Sequence, residues 1–515
     1  MSEVITYHDT RAGDRGHPAF TEVVVRGIAP GGGLYVPDSL PSLALEDIVA
    51  LAGLPYWRRA AELFSRFGVD IEPARVTELM GFAYGPQWDD PRIAPVVEVV
   101  AGTHVLELWH GPTQAFKDLA LQCMPLFFSE AVEQRRARGV ERYDYLILVA
   151  TSGDTGKAAL EGFADRTHTS IVVFYPAEGV SDIQRKQMVS QRGANVGVFG
   201  VRGNFDDCQS AVKAAFSDSA FNRELEEVHG LALSSANSIN WGRLLPQVVY
   251  YASAYADMIA GGGVIAGLPI DVCVPTGNFG NILGAYYARC MGVPIGRLLC
   301  ASNENNVLTD FINTGVYDIT RRRFVTTPSP SMDILISSNL ERQLYALTPD
   351  PTRIGEWMAS LRETGRFQVD RETFGKMRSL FAADFVTNDD SLATIRRVWE
   401  EEGYLLDPHT AVAWEVAERL RAADPVLVVA TAHWAKFGAD VYRALRSLPY
   451  GEPLPDDVKG VSDVGLLARV REVAPTAAGV PSVLAKLDEV PERFGEVVDV
   501  GRDGVENAVR RWLAR

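Results

Sequence analysis

The stretch "ELWHGPTQAFKDLALQ" (107–122) holds the side chain with the most chemical promise in the chain, Lys117. It stands where an apolar, strand-like run breaks at Gly111-Pro112 and a long helical pattern begins. Most first-turn lysines are simply solvated. A lysine that is partly buried at a helix N-terminus is different. Both surroundings disfavour the ammonium form, lower its pKa and free the amine for covalent chemistry.

Three other stretches carry complementary chemistry. In "VATSGDTGKAAL" a strand over 145–150 ends, Thr151, Ser152, Gly153, Asp154, Thr155 and Gly156 turn, and a helix starts. Small hydroxyl residues and glycines there leave main-chain N–H groups free to grip an anion, although the same residues make an ordinary N-cap. The nucleotide P-loop signature is absent, and Lys157 reads as a solvent-facing helix residue. In "VPTGNFGNILGAYY" a strand over 271–275 ends at Gly277, Asn278, Phe279, Gly280 and Asn281 before another helix, whose dipole favours a phosphate. In "VVATAHWAKFG" Thr431 closes a strand over 426–430, where its hydroxyl can donate and accept. A strand-end threonine is more commonly structural. Taken together, two anion loops, a hydroxyl and a lysine suggest one ligand that carries a phosphate and reacts with an amine. Pyridoxal 5'-phosphate (PLP) has both properties.

The elements that must position these groups follow from hydrophobic pattern. From about residue 101, apolar β-branched runs alternate with helical stretches, which predicts an α/β fold of parallel, twisted sheets flanked by helices. Ligands in such folds bind beyond the carboxyl ends of the strands, where all four stretches fall. Residues 1–100 read as a mixed α/β segment in which "LEDIVALAGLPYWRRAAELFSRFG" makes two short helices. Residues 101–450 read as a core of two α/β subdomains, and 451–515 as a helical, charged tail behind the linker "GEPLPDDVKG".

Bulk properties narrow the function. The chain has 515 residues, 47% hydrophobic and 23% charged, an ordinary globular balance. A net charge of -16 argues against nucleic-acid or anionic-membrane partners. No apolar run reaches the roughly 18 residues of a membrane helix. Five scattered cysteines without C-x-x-C spacing, and an N-terminus without a signal-peptide pattern, suggest the cytoplasm. The eight histidines show no metal spacing. His110 and His433 read as packed or hydrogen-bonded structural groups.

The chain resembles the threonine synthases, fold-type II PLP enzymes of the tryptophan-synthase-β group, from about residue 5 to about 450. The resemblance is carried by "GGGLYVP", "HGPTQAFKDLALQ", "ATSGDTGKAAL", "SSANSINWGRLLPQ", "VPTGNFGNILGAYYA", "SPSMDILISSNLER" and "TAHWAKFGA" together. It implies that Lys117 holds PLP through a Schiff base, that residues 277–281 cradle its phosphate, that Asp154 lies near the ring's 3′ oxygen, and that Thr431 bonds the ring nitrogen. It further implies that Thr151, Ser152 and Thr155 receive a substrate carboxylate, while Asn237, Ser238 and Arg243 bind the substrate's own phosphate. By itself the 237–243 stretch would read as a loop before a helix over 243–258, with Arg243 a surface charge. An arginine fork does match phosphate geometry.

The implied reaction turns O-phosphohomoserine and water into threonine and phosphate, with Lys117 also acting as general base at the α-carbon. The implied protein is a monomer or homodimer. Two departures from the family bear on fine geometry: Trp434 stands where proline is usual, and Asp9 where serine is usual. The tail after about residue 455 is poorly matched, and no role is assigned to it. One rival reading is a related PLP-dependent lyase or dehydratase acting on a hydroxy- or phospho-amino acid, which the phosphate trio argues against. Another is a noncatalytic small-anion binding protein built on the same glycine loops.

Overall fold

The computed structural model describes residues 4–13, 16–422 and 425–515. Two mainly parallel sheets organise it. The larger runs Phe381–Phe385, Ile295–Ser302, Ile270–Pro275, Val426–Ala430, Thr103–Glu107, Val96–Val100, and every neighbouring pair is parallel except the last. The smaller runs Val497–Val498, Val196–Val201, Thr169–Pro176, Asp144–Ala150, Leu231–Ser234, all parallel. The central strands are buried along nearly their whole length, which is why they read as continuous apolar runs rather than alternating ones. Two short antiparallel pairs stand apart, Tyr7–Asp9 with Tyr35–Pro37 and Val316–Asp318 with Arg366–Gln368.

Three adjacent strands of the larger sheet deliver the site. Ile270–Pro275 ends at the 277–281 turn, Val426–Ala430 at Thr431, and Thr103–Glu107 at the loop leading to Lys117. From the smaller sheet, Asp144–Ala150 ends at Thr151. The long helical pattern after Lys117 forms two pieces, Lys117–Leu121 and Met124–Ala137, with Pro125 in the first turn of the second. Proline lacks the N–H that would carry a helix through this point but is well suited to a first turn. Helix Asp154–Phe163 crosses directly over the first piece. A Cβ on Gly162 would lie 1.9 Å from the Leu121 carbonyl oxygen, so only glycine lets the two backbones meet. That contact brings Asp154 to the side of Lys117.

The N-terminal stretch forms the two expected helices, Leu45–Leu51 and Tyr56–Arg66, alongside Phe20–Arg26 and Pro73–Ala83. Helix Trp241–Ala260 starts two residues ahead of the expected boundary and is buried on nearly every face. Arg243 therefore lies inside the protein, not on its surface.

The tail is more than helical. Besides helices Asp463–Val473 and Arg502–Leu513, it adds strand Val497–Val498 to the edge of the smaller sheet, pairing with Gly200 and Val201. Trp512 Nε1 donates to the Val196 carbonyl (3.0 Å). Trp434, buried, donates from Nε1 to the Ala478 carbonyl (3.0 Å), so the residue that departs from the family pattern is a docking point for the tail.

Candidate active site

Lys117 is delivered by a turn stitched to the neighbouring strand end. Phe116 N–H donates to the Thr431 carbonyl (2.8 Å), His433 N–H donates to the Gln114 carbonyl (3.1 Å), and Ala115 bridges Ala432. Within the turn, Asp118 accepts from the main-chain N–H (2.8 Å) and the hydroxyl (2.7 Å) of Thr113. The Lys117 side chain is buried. Its Nζ lies 3.0 Å from Ser331 Oγ and 3.6 Å from Asp154 Oδ2. Burial pushes its pKa down to about 8; the Asp154 charge opposes this, and the charges of Lys436 and Arg243 add to it.

Asp154 opens its helix at Gly153, whose φ of 130° and lack of side chain are both required, since a Cβ would meet Gln184 at 2.5 Å. One carboxylate oxygen accepts from Lys436 Nζ (2.8 Å) and Gln184 Nε2 (3.0 Å). The other faces Lys117 and accepts from the Ser331 hydroxyl (3.3 Å). Burial alone would raise the Asp154 pKa; the two lysine charges and the donated hydrogen bonds outweigh it and hold the carboxyl far below the usual range. Thr151 is buried and its Oγ1 accepts from the N–H groups of Gly153 (2.9 Å) and Gly156 (2.8 Å), closing the turn. Ser152 and Thr155 are half-buried. Lys157, expected in solvent, is also half-buried, paired with Glu161 (2.8 Å) and reaching the side-chain oxygen of Gln191 (2.5 Å).

The glycine turn meets Lys117 through the 329–332 segment. A Cβ on Gly277 would lie 2.9 Å from the Ser331 carbonyl and 3.1 Å from Met332 Cα, so the segment carrying Ser331 rests on the turn itself. Phe279 adopts φ 60°, and helix Gly280–Met291 begins without a side-chain cap. The first N–H groups of a helix have no intrahelical partner, so this uncapped start presents donors to an anion. Asn278 is tied to the 338–339 loop: its side-chain oxygen accepts from Ser338 Oγ (3.1 Å) and its carbonyl from Asn339 N–H (3.1 Å). Asn281 turns its side-chain oxygen toward the hydroxyls of Tyr250 and Tyr251 on helix Trp241–Ala260, leaving its buried Nδ2 without a partner among the described residues.

The 237–243 stretch joins the same cluster. Ser238 Oγ lies 3.0 Å from Ser338 Oγ, and Asn339 Nδ2 donates to the Ser238 carbonyl (3.0 Å). Arg342, fully buried, donates to Asn339 Oδ1 (2.6 Å), the Ile239 carbonyl (2.6 Å) and the Tyr35 carbonyl (2.9 Å), holding this loop to the N-terminal segment. Arg243 donates from Nη1 to the Ala236 carbonyl (3.0 Å), its Nε has no partner among the described residues, and burial pulls its pKa down to about 10. A buried guanidinium with an idle donor is costly unless an anion arrives.

The site therefore holds three cationic side chains, Lys117, Lys436 and Arg243, with the Asp154 carboxylate against the two lysines, beside an uncapped helix start. That surplus of positive charge and idle donors fits a phosphate-bearing aldehyde, and PLP in particular. Sequence reasoning assigned no role to Ser331, Gln184 or Lys436. Ser331 and Lys436 do lie in "SPSMDILISSNLER" and "TAHWAKFGA", so the signal was in the motifs already singled out.

Residues 6–84 match the family model for the threonine synthase N terminus, 104–432 that for PLP-dependent enzymes, and 410–509 that for the threonine synthase C-terminal region. The last match carries the family likeness through most of the tail, which the sequence motifs alone matched poorly. The chain is 45% identical over 437 residues to human threonine synthase-like 1, covering 83% of this chain but spanning only 58% of that protein's length. It is 37% identical to the threonine synthase of Eremothecium gossypii, covering 90% of this chain and 94% of that one. The crystal structure of PLP-bound threonine synthase from Brucella melitensis superposes with a TM-score of 0.84 at 35% identity, covering 99% of this chain and 100% of that one.

Proposed function

The chain belongs to the threonine synthase family of PLP-dependent enzymes, and on that footing we propose that it converts O-phospho-L-homoserine and water to L-threonine and inorganic phosphate. The observation that carries the reading is the buried Lys117 amine, held against Asp154 and Ser331 in a pocket with surplus positive charge.

Bound PLP supplies an aldehyde that condenses with amines and a ring that draws electrons away from the attached amino acid. Lys117 would hold it. The main-chain N–H groups of Gly277, Asn278, Phe279, Gly280 and Asn281 would receive its phosphate, Asp154 would stand beside the 3′ oxygen, and Thr431 beside the ring nitrogen. A threonine hydroxyl does not keep a proton on that nitrogen as a carboxylate would, which moderates electron withdrawal and suits elimination and replacement better than transamination.

Around the substrate, Arg243 offers the planar fork, with Asn237 and Ser238, for the phosphate that leaves. Ser152 and Thr155, with Thr151 shaping their turn, would receive the carboxylate. Lys117, released from its bond, would take the proton from the α-carbon, a task that needs a free amine near neutral pH. In the net change the C–O bond at the γ-carbon breaks and phosphate leaves with its electrons. A hydroxyl from water is added at the β-carbon, and the γ-carbon ends as a methyl group. Burial of Lys117 and Asp154 keeps bulk water from the reacting centre.

A cytoplasmic setting is part of the proposal and is supported by five free cysteines, four of them buried. The test is to incubate the PLP-loaded protein with O-phosphohomoserine while following phosphate, threonine and 2-oxobutyrate. Equal amounts of phosphate and threonine are expected. Phosphate with 2-oxobutyrate would instead assign an elimination-only lyase, and no phosphate at all would overturn the reading.

A further inference from the structure

Lys436 is fully buried, in the short helical turn Trp434–Phe437 that follows Thr431. A buried ammonium is expensive, and packing alone would be served better by an apolar side chain of similar length. Here the ammonium is engaged on two sides, 2.8 Å from Asp154 Oδ1 and 2.7 Å from the Thr113 carbonyl. Lys117 faces the other oxygen of the same carboxylate at the longer distance of 3.6 Å, and its own close contact is Ser331. The closer cation to Asp154 is thus the lysine to which no role has been given.

We propose that Lys436 is a positioning residue for Lys117: a second cation, in closer contact with Asp154, that keeps this carboxylate anionic and in place while Lys117 gives up and takes back its proton. This rests on the reading of Lys117 as the working amine. Each time Lys117 becomes neutral, Asp154 loses one of its two cations. A buried carboxylate left alone would take up a proton and cease to fix its neighbours. With Lys436 in contact, the carboxylate retains a partner throughout.

The groups facing the pair make this arrangement one-sided. Lys117 is faced by Asp154, Lys436, Arg243 and the neutral Ser331. Lys436 is faced by Asp154, the Thr113 carbonyl, the Asp118 carboxyl and the His433 imidazole. His433 is kept neutral by burial, which pushes it down to about 3. Removing the Lys436 charge therefore takes away a like charge from Lys117 and leaves Asp154 to Lys117 alone, and both changes favour the Lys117 ammonium.

The chain has only eight lysines, which makes each side chain resolvable by NMR of cofactor-free protein labelled at the lysine ε-carbon. Lys117 is assigned through Lys117→Arg and titrated in the unsubstituted protein, Lys436→Arg and Lys436→Met. Lys436→Met should raise the Lys117 midpoint by about one pH unit or more, and Lys436→Arg should leave it nearly unchanged. A folded Lys436→Met protein whose Lys117 midpoint does not move would reduce Lys436 to a structural pin and overturn the proposal. If that variant does not fold, the unsubstituted protein decides. Lys436 must stay charged across the range in which Lys117 titrates, and a Lys436 that loses its proton there would overturn it equally. The readout needs neither cofactor nor turnover, so its failure is separate from failure of the threonine-forming reaction.

Discussion

Lys117 and Ser331, separated by 214 positions, meet at 3.0 Å between Nζ and Oγ. The same hydroxyl reaches Asp154 Oδ2 at 3.3 Å. Ser331 is itself held from behind: its N–H donates to His409 Nε2 (3.2 Å), and His409 Nδ1 is paired with Asp407 (2.8 Å). One small hydroxyl thus sets the direction of the Lys117 amine. Ser331→Ala should leave the fold intact and lower kcat by about tenfold, the effect of one lost hydrogen bond of about 1.4 kcal/mol, with little change in KM. Steady-state kinetics on the PLP-loaded variant check it, and an unchanged kcat would show that the contact is idle.

Gly277→Ala tests the glycine turn. The added methyl would press on the Ser331 carbonyl and on Met332 Cα, both main-chain atoms that yield only by moving the whole segment. Equilibrium titration should show PLP binding weakened by at least about tenfold, and the thermal midpoint of the cofactor-free protein should fall by a few degrees, since overpacking of about 1–3 kcal/mol strains the folded state itself.

The lowered pKa of Lys117 gives a pH dependence with a definite sign. Its ordinary value is 10.5 and burial first, then nearby cations, bring it to about 8 in the folded state. Only the neutral amine attacks an aldehyde. The rate at which cofactor-free protein takes up PLP should therefore rise by roughly tenfold per pH unit below about 8 and level off above it. A stopped-flow pH series checks this, and a rise continuing toward pH 10.5 would contradict it. On stability the same shift acts in the opposite sense to that of a salt-bridged lysine. Between about 8 and 10.5 the unfolded chain binds more protons at this residue, so its contribution to stability grows as pH rises through that window.

His110 behaves inversely. Burial pulls it down, but hydrogen bonds and charges from Asp89 and Glu107 prevail and raise it from 6.5 to about 9. Between those values the folded state binds the extra proton, so the stabilisation is complete below about 6.5 and is lost as pH rises through about 9. The urea midpoints of the unsubstituted protein and His110→Gln should converge across this range. A constant gap would show that the imidazole is not titrating there.

Arg243→Lys retains the charge and loses the fork. KM for O-phosphohomoserine should rise by about tenfold to a hundredfold, with a smaller change in kcat, if Arg243 grips the substrate's phosphate in ground and transition state alike. A kcat effect alone would place Arg243 elsewhere in the reaction.

What was legible in the chain was local. A strand such as Val426–Ala430 is five apolar residues long and buried throughout, and the turns after it and after Ile270–Pro275 announce themselves with glycines and hydroxyls next to a helix start. What was not legible depends on distant partners. Ser331 gains its meaning from Lys117 and Asp154, and Lys436 from Asp154 and Thr113, contacts that no period or spacing encodes. Lys157 was misread because the outer face of its helix is covered by Gln191, and Arg243 because helix Trp241–Ala260 is enclosed on nearly every side. Strand Val497–Val498 is two residues long, too short to show alternation.

The central claim is that Lys117, and no other amine, carries the cofactor. Borohydride treatment of the PLP-loaded protein followed by peptide mass mapping tests it directly. The account predicts one pyridoxyl group per chain, on the peptide containing Lys117, and none on those containing Lys436 or Lys157. Labelling of a different lysine, or no fixed label in a protein that has bound PLP, would contradict it.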